Sequence, residues 1–212
     1  MRVGIALKAE RQLWLVLGIL LLSASLLPAQ VANTPVTGDW LVSHILSDPE
    51  SLHPLTSNDA GSSSILGYIF ESLLERYPQT LELRPQLAVA RPHISDDKLV
   101  YTFTIRRDVH FQDGKPLTGR DLLFSLKAIK NPWVNAPFRR VYYQSLVQAE
   151  LVDDYTLRLV AQEPYFRNES VLGGFQVLPQ HYYDPEGLLD ALSVAELATM
   201  RPGDPALEAS PH

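Results

Sequence analysis

No cysteine occurs among the 212 residues, which excludes disulfides, thiolate metal sites, a cysteine nucleophile and a lipid-modified N-terminal cysteine in one step. Blocks of like charge are also missing. The formal charge is -6 with acids and bases interspersed, so there is no electrostatic footprint for nucleic acid, and no nucleic-acid partner is expected. The chain has no GxSxG, no P-loop, no glycine-rich dinucleotide turn and no HExxH. Gly173-Gly174 is a lone pair without a phosphate-loop context, and no internal repeat is found. Without thiolates, a metal site would need histidine and carboxylate ligands. The best local pairs are His110 near Asp113 and His181 three residues before Asp184, short of the three or four ligands a bound ion requires. His110 falls in an alternating strand and is expected to face solvent, and His181 is expected at the start of a helix. No catalytic residue, metal or cofactor is expected, and a His/carboxylate metal-dependent enzyme is the reading these absences disfavour.

Apolar residues make up 46% of the chain, enough to bury a core. The N-terminus differs in kind from the rest. Arg2, Lys8 and Arg11 precede an apolar run from Leu13 to Leu22, the profile of a signal peptide. Ser23, Ala24 and Ser25 supply small residues for cleavage, so residues 1–25 are expected to be removed on export. An uncleaved membrane anchor is the alternative. Leu13 to Leu27 is about fifteen residues against the roughly 17 to 25 of a spanning helix, which favours cleavage. Loss of this segment leaves 15 basic and 23 acidic residues of the original 18 and 24, a charge of about -8. Residues 26–37 read as a linker and 201–212, rich in proline, as a disordered tail.

Between these ends, Trp40 to Leu46 has the pattern of a buried strand. A long loop from Ser47 to Gly61 follows, carrying Pro49, Pro54, Asn58 and Asp59. Ile65, Leu66, Ile69, Phe70, Leu73 and Leu74 recur at helical spacing, predicting a helix begun near Ser62 to Ser64. In strand–loop–helix units ligands settle at the helix N-terminus. Asn58 to Ser62 is therefore a candidate ligand-facing segment, and a purely capping role for Asn58 or Asp59 is an equal alternative.

Beyond Tyr77 the pattern turns β-rich. Leu99, Tyr101, Phe103 and Ile105 alternate with polar or β-branched residues and predict a half-buried strand, prolonged by Val109 and Phe111. Asp113-Gly114 predicts a tight turn, and Thr118 with Asp121 a capping box opening a helix with the stripe Leu122, Leu123, Leu126 and Ile129, ended by Asn131-Pro132. Val147 to Val152 and Thr156 to Ala161 predict a hairpin with Leu157 and Leu159 inward. A last helix is predicted from about Pro185 to Met200, with the stripe Leu188, Leu192 and Ala195. Most aromatics are assigned to packing, with functional weight reserved for Tyr142-Tyr143 in the basic stretch after Arg139 and Arg140.

The segments SDPESLHPLTSNDAG, IFESLLERYPQTLELRPQLA, SDDKLVYTFTIRRDVHFQDGKPLTGRDLLFSLKAI, LVDDYTLRLVAQEP and VLPQHYYD resemble the family 5 extracytoplasmic solute-binding proteins, the dipeptide, oligopeptide and nickel-binding group. The resemblance covers about residues 38–185. It implies an α/β, class II periplasmic-binding-protein-like fold that closes on solute like a hinge. Residues 38–72 and 165–200 would form part of lobe one, 73–164 a small β-rich α+β subdomain, and the second lobe would be absent. By the same resemblance, ligand-binding residues are Asn58, Asp59, Ala60 and Tyr142, partners are a peptide or similar small solute and an ABC transporter permease, and the location is the periplasm. One departure from the family pattern is Gly119 where an alanine is usual, which weakens the first helical turn by up to roughly 1 kcal/mol.

Two readings follow from the resemblance. One is the extracytoplasmic solute-binding component of an ABC importer for peptides, acting by a two-lobed capture mechanism that is truncated here. The other is a non-binding remnant or split-gene product that docks a transporter, a complementary C-terminal chain or an envelope partner. Because burial from both sides supports affinity, the chain alone is expected to bind weakly or not at all.

Overall fold

The computed structural model describes Gly38 and residues 42–202. The expected signal peptide, the whole of the expected linker and all but the first two residues of the expected tail lie outside the described residues. The chain divides into two units, residues 1–44 and 45–212. In the first, the described residues have no regular structure.

The predicted strand over residues 40–46 is corrected for its described part. Residues 42–46 form no strand, and Val42 and Leu46 are 77% and 96% exposed. A strand buried on both faces needs neighbours for its ladder, and no described strand pairs with this segment. The chain then loops to α1, Ala60–Leu66. This helix starts earlier and ends sooner than predicted. Asp59 caps it, accepting from the Ser62 amide at 2.8 Å. After Leu66 the backbone leaves the helix, leaving Ile69 exposed. Leu73 and Leu74 reach the core from extended chain, β1 being Leu74–Arg76.

β1 pairs antiparallel with β2, Leu83–Pro85. A second antiparallel sheet has the order β3–β4–β6–β5, from His93–Ile94, Val100–Thr104, Thr156–Ala161 and Leu146–Asp153 respectively. Its central strands follow the predicted alternation: Tyr101 and Phe103 in β4, with Ile105 just beyond it, and Leu157 and Leu159 in β6 are buried. Cross-strand pairs Tyr101–Leu159 and Phe103–Leu157 sit on that buried face. The alternation does not carry β4 through Val109 and Phe111; there the chain makes only an isolated bridge, His110 to Pro116. The turn at Asp113-Gly114 forms as predicted, Gly114 adopting φ 84°, a conformation that glycine takes without steric cost.

α2, Gly119–Lys130, covers the buried face of the sheet and touches β5 and β6. Asp121 Oδ2 accepts from the Thr118 amide at 2.9 Å and from the Thr118 hydroxyl at 3.1 Å. Leu122, Leu126 and Ile129 are fully buried, and Leu123 is half-buried. Gly119 answers a packing need. A Cβ there would stand 2.7 Å from Leu151 Cδ2 and 3.1 Å from the Asp154 carbonyl, and the Gly119 amide donates to that carbonyl at 2.7 Å. The glycine lets the helix start against the β5–β6 turn.

The polar residues on α2 tie down the chain that follows the hairpin. Ser125 Oγ donates to the Asp121 carbonyl at 2.6 Å and accepts from the Leu178 amide at 2.8 Å. Asp121 Oδ1 accepts from the Gln180 amide at 3.0 Å, and Lys127 Nζ donates to the Leu189 carbonyl at 2.8 Å. These bonds satisfy polar groups that burial would otherwise penalise.

α3, Pro137–Tyr142, α4, Asn168–Gly173, and α5, Gln180–Tyr183, are single turns or little more. The predicted helix from Pro185 is corrected to α6, Val194–Thr199. Buried Asp184 holds residues 184–189 in a turn by accepting from the Leu188 and Leu189 amides at 2.8 and 3.0 Å. Ser193 and Glu196 then form a fresh capping box, which fixes the helix start at Val194, nine residues later than predicted. Its buried side is Val194 and Leu197, with Ala195 exposed.

Candidate functional site

Two of the four expected ligand residues, Asn58 and Tyr142, line one open cleft of about 340 Å³. Asn58 closes the loop before α1, and Tyr142, 58% exposed, ends α3. Ser57, Ser63, Arg139, Tyr143, Ser170 and Gly174 complete most of the wall. The short α3 exists because Pro137 presets the first helical turn, and its ring-bearing end faces the loop through Arg139. Arg139 Nε donates to the Leu55 carbonyl at 3.1 Å, and Nη2 donates to Gln176 Oε1 at 3.3 Å.

Asp59 and Ala60 do not line this cleft. Asp59 is the cap of α1; its carboxylate accepts from the Ser62 hydroxyl and amide, which hold it below the usual carboxylate range. Ala60 is exposed at the first helical position. The capping alternative is the geometry observed for Asp59. Seven residues is too short for α1 to be treated as an anion site in its own right.

The loop 51–57 is shaped by His53, whose Nδ1 accepts from the Leu55 and Thr56 amides at 3.2 and 3.3 Å. Partial burial, assisted by the nearby Arg139 charge, lowers the His53 pKa. Burial likewise lowers Arg139 and raises the Tyr143 hydroxyl beside it. Arg139 entered the sequence reading only as part of a basic stretch, and Ser63, Ser170 and Gln176 did not enter it. The adjacency of Arg139 to Tyr142 was the one available signal. The cleft continues past Tyr142 and Val171 into a second one of about 390 Å³, lined by Gln144, Gln162, Glu163, Tyr165 and Arg167. Together they make a groove with polar walls and exposed rings.

The best local His/carboxylate pairs of the sequence, neither of them expected to hold a metal, do not form. His181 Nε2 lies 2.7 Å from Asp113 Oδ2, while Asp184 turns inward to cap backbone amides. No three histidine, aspartate or glutamate side chains converge among the described residues, and no described helix is long and apolar enough to cross a membrane. A separate apolar cleft of about 240 Å³ lies under Ile69, Phe111 and Tyr182.

An antiparallel sheet under the twelve-residue α2, with an open cleft beside the loop before α1, is the mixed α/β architecture that positions the candidate residues. The family model described as bacterial extracellular solute-binding proteins, family 5 Middle, matches residues 82–200, more than half of the chain. The chain belongs to that family. It is similar to Protein XP55 of Streptomyces lividans, 42% identical over 37% of this chain and 14% of the relative. It is also similar to the periplasmic murein peptide-binding protein MppA of Escherichia coli, 31% identical over 46% and 18%. Among solved structures, the ABC transporter substrate-binding protein CtaP of Listeria monocytogenes superposes with a TM-score of 0.59 at 27% identity, covering 66% of this chain and 28% of that one. The matched stretch is thus less than a third of each of these relatives.

Proposed function

We propose that this chain is an extracytoplasmic solute-binding component of an ABC importer and that peptides are its solutes, held first on the groove that joins Asn58 to Tyr142. The observation that carries the reading is the convergence of those two residues, distant in sequence, on one cleft in a chain of this family. Residues 38–72 and 165–200 serve as lobe-one segments and 73–164 as the attached subdomain. Asp59 acts by fixing the loop and α1, and Ala60 adds only backbone. Peptide as the solute class is supported by the name of MppA, a murein peptide-binding protein, and the importer by CtaP, an ABC transporter substrate-binding protein. Export through the N-terminal segment and delivery to a permease complete the proposal.

An open groove buries a peptide on one side, so binding by this chain alone is weak, with a dissociation constant of about 1 mM or higher. Amide-detected NMR of the labelled chain titrated with trialanine tests this. Fast-exchange shifts centred on Asn58, Ser63, Tyr142 and Ser170 are expected. Shifts centred elsewhere, or none at about ten times that concentration, would overturn the reading.

A further inference from the structure

Among the described residues, Arg139 has donors to spare and no acid to pair with. A guanidinium carries five N–H groups in a planar fork. The fold uses Nε on the Leu55 carbonyl and Nη2 on Gln176, and no described residue accepts from Nη1. Arg91, Arg106 and Arg158 are paired with Glu169, Asp108 and Glu150. Arg140, like Arg139, has no carboxylate partner among the described residues, but its Nη1 donates to the Asn131 and Val134 carbonyls and it does not line the cleft with Asn58 and Tyr142. Arg139 is half-buried, yet no carboxylate lies within 4 Å of it among the described residues, and none lines its cleft. The other polar liners are neutral; Ser57, Ser63 and Ser170 donate their hydroxyl protons to the Ser51, Asp59 and Arg167 carbonyls, which leaves Asn58 and the tyrosines as the neutral donors.

A half-buried cation without a counter-charge is costly to a fold that gains nothing else from it. The link to Leu55 and Gln176 explains one edge of the fork and leaves the Nη1 edge. A planar carboxylate is the group that takes such an edge with paired, charge-assisted bonds. Resting on the reading that this groove is the solute site, we propose that Arg139 anchors a carboxylate of the bound solute, so that the cleft prefers carboxylate-bearing peptides to their neutral counterparts. Tyr142 stands beside that anchor, and the groove past Val171 gives the rest of the chain its length.

The test titrates the whole labelled chain with trialanine, trialanine amide and Ala-Glu-Ala amide. The free acid is expected to bind about tenfold more tightly than the amide, and Arg139→Gln to erase that difference. Should Arg139→Gln unfold, as its amide spectrum would show, the acid-to-amide ratio of the unaltered chain at low and high salt decides instead. A preference that falls as salt rises supports the anchor. The third peptide separates two sources of the same group. Binding like the free acid supports an anchor for any carboxylate, and binding like the neutral amide, with the acid still preferred, supports one for the peptide C-terminus. Equal affinity of acid and amide at the cleft overturns the inference and leaves the solute site standing. No response of the cleft to any peptide overturns both.

Discussion

The sheet with α2 and the segment from residue 45 to β1 are held by different means. In the sheet, β4 and β6 each have a neighbour on both sides, and Phe103, Leu157 and Leu159 are closed from water. In the loop segment, Leu46, Leu52, Tyr68 and Ile69 remain exposed, and shape comes from local hydrogen bonds by His53, Ser57 and Asp59. The first region is a scaffold that packs itself. The second is a surface whose form depends on a few polar contacts, and it carries half of the candidate site. Ligand-binding segments are commonly drawn from this less stable end of a structure.

The comparison breaks most visibly if core truncation is tolerated. Phe103→Ala is expected to cost about 3–5 kcal/mol in denaturant unfolding, whereas Leu52→Ala should stay within about 0.5 kcal/mol. Similar losses at both positions would mean that the loop is packed as firmly as the sheet.

Lys130 sharpens the same contrast within the scaffold. It is 6% exposed, and burial lowers its pKa to about 8 from 10.5. The folded state therefore sheds the proton that the unfolded chain keeps, and stability should rise as pH climbs from about 8 toward 10.5. By linkage, relief of that burial is worth up to about 3 kcal/mol. Lys130→Met should accordingly raise the unfolding midpoint at neutral pH and flatten the alkaline rise. A lower midpoint would show that the ammonium is well solvated.

Gly119→Ala separates propensity from packing. Helix propensity alone favours alanine by up to about 1 kcal/mol, but the approach to Leu151 and the Asp154 carbonyl predicts a net loss of about 1–3 kcal/mol. A gain in thermal stability would contradict the close approach.

The smallest effect belongs to the loop. His53 is more acidic in the fold than its ordinary 6.5, so the unfolded or opened loop takes up protons first, and loop stability falls as pH drops below about 6.5. The protection of the Leu55 and Thr56 amides, which donate to its Nδ1, measured by hydrogen exchange relative to the intrinsic rate at each pH, should fall on acidification while that of Phe103 does not. An equal fall in protection at both sites would erase the distinction between the regions.

Most of the scaffold was legible because its signals are short-range. Alternation marked β4 and β6, the Thr118–Asp121 spacing marked the start of α2, and Asp113-Gly114 marked a turn. The stripe from Ile65 to Leu74 misled because helical spacing is shared by residues that reach one core from different elements. Leu66 gets there from α1, whereas Leu73 and Leu74 get there from the β1 approach, where the Val177 amide donates to the Glu71 carbonyl. The late start of α6 was set by buried Asp184, whose role as an acceptor for backbone amides is not encoded in periodicity. At the site, Asn58 was marked by its place in the loop before a helix and Tyr142 by the basic stretch beside it, and the family resemblance named both. Arg139 could not be singled out from Arg140 because which of the two lines the cleft with Asn58 and Tyr142 is a property of three-dimensional surroundings.

The most direct measurement of where solute sits is photo-cross-linking of a peptide bearing a benzophenone side chain to the whole chain, with adducts mapped by mass spectrometry. Adducts within residues 57–63, 138–143 and 170–174 are predicted. Adducts concentrated in residues 109–112 and 177–183, around the apolar cleft under Ile69, Phe111 and Tyr182, would contradict the account.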